Sequence, residues 1–184
     1  MLRLHCWPSV LISIVAVHAS GFAAVAATSQ PTVPAGFRLV VGHSRGFPIA
    51  VDARGRVIRE QVSGWTINID SNGASRIKID RLEAPSTVRQ YTLSRGVLQQ
   101  ILKAINDVEY FELPRAMVGA ADHGASYFTA VTMHGRTHKV RVYSPWEFRR
   151  QMRLRRFREV WAEAVKSCPH VPKDDALAHL DSNI

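Results

Sequence analysis

Cysteine is almost absent from this chain, with two in 184 residues, Cys6 and Cys168. Only the second lies beyond the N-terminal segment, so no intramolecular disulfide and no cysteine-pair metal site can be built there. His-Glu-x-x-His is also missing, which removes the common zinc-hydrolase signature, and although Gly42-His43-Ser44-Arg45-Gly46 matches Gly-x-Ser-x-Gly, no helix pattern follows it to make a nucleophile elbow. Gly42 and Gly46 bracket His43-Ser44-Arg45 without a following helix or lysine, so the phosphate-cradling glycine loop is absent too. Acidic residues are few, 15 Asp+Glu against 24 Lys+Arg, for a net charge of +9.

One apolar run is present, from Trp7 to Val17. Arg3 precedes it, and Ala24-Val25-Ala26 follow it ahead of Ala27-Thr28-Ser29-Gln30-Pro31. Charge, apolar core and small residues in this order read as a secretory signal peptide. An uncleaved N-terminal membrane anchor is the alternative, although His18, Ser20 and Gly21 interrupt the run. The expected organisation is a signal peptide over 1–26, a linker over 27–36, one α+β domain over 37–170 and a loose tail over 171–184. A periplasmic or secreted protein works where ATP and nucleotide cofactors are scarce, and no cofactor is expected.

Past the linker, Phe37, Leu39, Val41 and then Phe47, Ile49, Val51 alternate as in strands with one buried face. Asp52 to Gly55 turns, and Arg56 to Val62 returns. Trp65, Ile67, Ile69 and Ile77, Ile79 flank Asp70-Ser71-Asn72-Gly73, a strong hairpin signal. Thr87 to Leu93 reads as another strand. A second hairpin runs from Ser126 to Met133, turns at His134-Gly135 and returns from Arg136 to Tyr143. Met117 to Gly124 reads as a Gly/Ala-rich loop.

Two helices are expected. Ser94 caps the first, with Leu93 stapling onto Leu98 and with Leu98, Ile101, Leu102 and Ile105 on its inner side. Ser144-Pro145-Trp146-Glu147 is a capping box with an N1 proline and announces the second. Trp146, Leu154, Phe157, Trp161, Ala164, Val165 and Cys168 lie on one side of it, with Phe148 and Met152 roughly opposite. Cys168 is expected to pack at its end. Strands joined by hairpins make an antiparallel sheet, and the two amphipathic helices cover one of its faces. The other face would carry Arg59, Glu60, Thr66, Asn68, Arg76, Lys78, Lys139 and Arg141 or a subset of these.

Candidate chemistry is sparse. Asp122-His123-Gly124-Ala125-Ser126 holds an acid, an imidazole and a hydroxyl, but adjacency in sequence does not assemble a nucleophile with its base. His134 and His138 would stand about 13 Å apart on a strand, too far for one metal, and no metal site is expected. The clearest functional signal is positive charge between residues 141 and 158: Arg141, Arg149, Arg150, Arg153, Arg155, Arg156 and Arg158 against Glu147 alone. Such a concentration attracts anionic polymers, lipid headgroups or an acidic protein face. Export argues against nucleic acid.

Asp52-x-x-Gly55-x-Val57, Leu93-Ser94, Tyr110-Phe-Glu-Leu-Pro114, Asp122 before a strand and His134-Gly-Arg-x-His138-x-Val140 follow one another in an order that resembles small secreted bacterial domains. The layout over residues 37–167 is similar to emfourin-type protein inhibitors of metalloproteases. The hairpin at 65–79 and the arginine-rich helix depart from it, so no inhibitory residue is carried over. The function expected is a non-enzymatic secreted or periplasmic protein-interaction module, inhibitor-like in layout. A binder of anionic envelope polymer or lipid headgroups through the arginine-rich helix is the alternative, and a small hydrolase comes third.

Overall fold

The chain builds its sheet outwards from a central strand. The computed structural model describes residues 32–46, 54, 56, 61–118, 125–143 and 151–172. β1 (Arg38–Ser44) pairs antiparallel with β2 (Val62–Asp70) on one side and with β6 (Ser126–Met133) on the other. β3 (Ala74–Arg81) and β4 (Thr87–Thr92) extend the sheet beyond β2, while β7 (Arg136–Tyr143) and the short β5 (Ala116–Val118) extend it beyond β6. The order is β4-β3-β2-β1-β6-β7-β5. With α1 (Arg95–Asp107) and α2 (Met152–Lys166), this is the expected α+β fold.

One face of the sheet is the core. Leu39 and Val41 on β1, Ile67 and Ile69 on β2, Ile77 on β3, Val131 on β6 and Val140 on β7 are all essentially inaccessible to solvent. Leu98, Ile101, Leu102 and Ile105 of α1 meet them, together with Leu154, Phe157, Val160, Trp161 and Ala164 of α2. Each of the Val, Leu, Ile and Phe side chains contributes about 1.5–3 kcal/mol through burial. Trp161 packs at a tilt against Trp65 and edge-on to Tyr127, with ring centroids 5.7 and 5.4 Å away. His43 lies 4.8 Å from the Tyr127 ring.

Local chemistry shapes the joints. The Ser94 hydroxyl accepts from the Val97 amide and caps α1. At the first hairpin the Asp70 carboxylate accepts from the Asn72 amide, the Asn72 side chain accepts from the Ala74 amide, and Gly73 alone takes positive φ, at +87°. At the second hairpin both His134 and Gly135 are left-handed, φ 52° and 73°, as a two-residue turn with the twist of its strands requires. Arg89 sits on the helix-facing side of edge strand β4, opposite Ile77, with its guanidinium 3.4 Å from His170 Nδ1. An inward-facing charge on an edge strand discourages pairing with another sheet. Cys168 is buried, as expected of a thiol packed at a helix end.

Two expectations are corrected. Met117 does not lie in a loop: residues 116–118 form β5, which pairs parallel with β7, so the sheet is mixed rather than wholly antiparallel. Glu109 turns the backbone left-handed and opens a 3-10 turn over Tyr110–Glu112, which delivers the chain to the edge of β7. Three residues are too few to show an alternation. The second helix begins at Met152, because Gln151 is extended, with φ −84° and ψ 130°. The capping box lies outside the described residues, and the described helix starts seven residues after Pro145.

The signal segment, the strand at 47–51, Arg59 and Glu60, Asp122 and His123, the capping box, Arg149, Arg150 and the tail from 173 lie outside the described residues.

Tyr110 ties the 3-10 turn to the sheet. Its hydroxyl is 2.6 Å from Thr129 Oγ1 in the core, and burial pushes its phenol up to about 12. Tyr127 is pushed to about 12 for the same reason, and Tyr91 is raised too, by burial and then by the adjacent Cys168. A raised phenol pKa means that stability is intact below the ordinary value of 10.0 and is lost as pH rises towards 12. Tyr110→Phe is expected to lower unfolding free energy by about 1–2 kcal/mol near pH 7 by orphaning Thr129. The deficit should shrink near pH 11, where only the parent protein has this phenol to keep neutral. Urea denaturation at both pH values measures it, and an unchanged deficit would show that the fold does not hold this phenol neutral.

Candidate interaction surface

Alternation on each strand sends the other half of the side chains to the opposite face of the sheet. Strand register arranges them in two rows. One runs Lys78, Thr66, Gly42, Phe128, Arg141, and the next runs Arg76, Asn68, Val40, Ala130, Lys139. In both rows a cation on β3 and a cation on β7 flank three uncharged residues, and the register carries the rows on to Val88 and Gln90 of β4 and, beside Arg141, to Ala116 of β5. Neither described helix covers this face. Val40, Thr66, Asn68, Phe128 and Ala130 are partly buried, and Arg76, Lys78, Lys139 and Arg141 are exposed.

Four inter-strand steps separate β3 from β7, so the two cationic strands stand about 19 Å apart. Within each strand the two cations lie two residues, about 7 Å, apart. The floor between them is shaped by a glycine. A Cβ on Gly42 would lie 2.2 Å from the Phe128 ring, so the ring occupies the space that a side chain would need. The Lys139 ammonium lies 5.2 Å from the Phe128 centroid, within cation–π range.

Acids on this face are peripheral. Asp80 pairs with Lys78 at 2.7 Å and accepts from Ser86; these bonds hold its carboxyl below the ordinary range. Asp70 stands opposite Arg38 at the end of β1. Beside them a shallow groove of about 740 Å³, lined in part by Arg38, Asn68, Asp70, Arg76 and Gln90, continues the surface towards the end of the sheet.

Six of the residues expected on the uncovered face are found there: Thr66, Asn68, Arg76, Lys78, Lys139 and Arg141. The arginine cluster expected as one surface is divided. Arg141 belongs to the open face, whereas Arg153, Arg155, Arg156 and Arg158 ride on α2 over the opposite face. Arg156 pairs with Glu109 at 3.2 Å and Arg155 with Glu159 at 3.7 Å. Arg158 is partly buried and also engaged, and Arg153 is exposed beside Met152, which is 63% exposed. Phe128, Gly42, Val40 and Ala130 were not foreseen, because their meeting depends on β1 pairing with β6 across more than eighty intervening residues.

Other candidates find structural settings. His138 Nε2 is 2.9 Å from the Leu113 carbonyl, and its ring packs on Tyr110 and Phe111. His134 occupies the turn. Ser126 opens β6 opposite Ser44 and Tyr143. Among the described residues no group of three or more His, Cys, Asp or Glu is placed to hold a metal, and no helix is long and apolar enough to cross a membrane. No protein-family model matches the chain, and no curated protein matches it.

Gly42→Ala is expected to cost about 1 kcal/mol by displacing the Phe128 ring. In a Phe128→Ala background the same change should be nearly neutral. Thermal or urea denaturation of the single and double variants reads out this coupling, and additive losses would show that the ring does not depend on the glycine.

Proposed function

We propose that this protein is a secreted or periplasmic binding module without catalytic activity of its own, and that its open sheet face holds an acidic protein partner. The observation that carries this reading is the pair of rows in which cations on β3 and β7 flank uncharged residues of β2, β1 and β6, on a face that no described helix occupies. Four exposed cations around a neutral, partly apolar floor suit a protein surface, in which charge steers approach and the floor supplies contact. The signal-like N-terminus supplies the compartment.

The arginine-rich helix as a site for anionic polymer or lipid headgroups is the second reading. Exposed Arg153 beside exposed Met152 favours it. Arg155 and Arg156 already have acids beside them, as one of the four open-face cations, Lys78, has Asp80. The emfourin-like layout makes a secreted metalloprotease one partner class worth assaying directly for inhibition.

Capture from envelope extract, quantified by mass spectrometry, separates the two surfaces. Reversing Arg76, Lys78, Lys139 and Arg141 to Glu should abolish retention of the partner, while Arg153→Gln, Arg155→Gln and Arg158→Gln together should leave it within about twofold, as expected of charges outside the interface. Retention should weaken but persist as salt shortens the Debye length from about 10 Å to about 3 Å. Loss with the helix variant alone would transfer the function to α2, and loss with neither would remove both surfaces from consideration.

A further inference from the structure

Resting on the open-face reading, we infer that the element bound there is a single amphipathic α-helix of the partner, aligned with β1 and carrying acidic residues along both flanks. The open face has two cationic strands and a neutral floor, and the spacing between the strands selects among anionic shapes. An α-helix with its side chains is about 10–12 Å across. Laid along β1 over Val40, Gly42, Phe128 and Ala130, it leaves several ångströms on each side. Lys78 and Arg76 reach across one gap and Arg141 and Lys139 across the other, to meet Glu or Asp on the helix flanks.

The paired cations also match a helical repeat. Cations about 7 Å apart along a strand meet acids one turn apart on a helix, which rise about 5.4 Å and reach further through their side chains. Charge complementarity thus exists on both sides, and the apolar stripe of such a helix faces the floor.

Other anionic shapes fit less well. A flexible polyanion crossing the strands along one row would have cations only at its ends, with about 19 Å of Thr66, Gly42 and Phe128 beneath its middle charges. A strand added to an edge would not touch these four cations at all.

Fluorescence anisotropy with labelled synthetic helices tests the inference on the whole chain. One peptide carries Glu along both flanks of an apolar stripe, and a second has the same composition with Glu distributed around every side. The flanked peptide should bind at least about tenfold more tightly than the scrambled one. Arg76→Glu with Lys78→Glu, or Lys139→Glu with Arg141→Glu, should each weaken it about tenfold. A peptide with one flank changed to Lys should recover binding to either variant by docking in one of its two orientations. Circular dichroism of the variants confirms that the fold is retained.

Equal affinity for flanked and scrambled peptides would overturn the inference, since net charge alone would then suffice. So would absence of peptide binding, or binding only to vesicles of anionic lipid. If the flanked peptide fails while capture of a natural partner still depends on Arg76, Lys78, Lys139 and Arg141, the open-face reading stands and the helix is wrong. If capture is also indifferent to those residues, both fail.

Discussion

Everything in this fold is indexed to the register of β1 against its two neighbours. Leu39 and Val41 are fully buried, and each stands opposite a core residue on both sides: Leu39 between Ile69 and Val131, Val41 between Ile67 and Thr129. A slip of one residue would turn this apolar pair to the opposite face and bring Val40 and Gly42 inward. The same register that buries Leu39 and Val41 aligns Gly42 with Phe128 and Val40 with Ala130. Core and candidate binding surface are two sides of one constraint.

The second consequence is asymmetry. Two helices supply the apolar sides that cover the sheet, and both are committed to the same face by Ile101, Ile105, Phe157 and Trp161. With its one buried cysteine and no partner thiol beyond the N-terminal segment, the domain relies on packing for stability. Helices bring Trp161 onto Trp65 and Tyr127, and Tyr110 joins the 3-10 turn to Thr129. On the face left over, two rows carry uncharged residues of β2, β1 and β6 between cations of β3 and β7, whose long side chains remain hydrated.

Local signals were readable wherever a single element decided the outcome. Ser126 to Met133, His134-Gly135 and Arg136 to Tyr143 follow the expected hairpin residue for residue, because a two-residue turn joins strands whose alternation is clear. Ser94 caps α1 for reasons contained in a few adjacent residues. β5 escaped notice because three residues carry no period and its partner β7 is distant in sequence. The helix expected after the capping box is described only from Met152, because Gln151 before it is extended and the box itself lies outside the described residues.

The candidate surface follows the same division. Its cations were visible as the polar half of each alternation, so Arg76, Lys78, Lys139 and Arg141 could be assigned to an uncovered face from periodicity alone. Their grouping was not visible: proximity in sequence joined Arg141 to the arginines at 149–158, and the sheet separates it from those on α2. Sequence by itself determined the fold class, the hairpins, the capped first helix and which side of each strand is apolar, since these depend on turn chemistry and on periods of two and 3.6 residues. Only the tertiary structure decided which strands are neighbours, that Phe128 rests over Gly42, and that two cationic strands border one neutral floor. Those relations arise from pairings between segments far apart along the chain, and no local pattern encodes which distant segment will be across the ladder.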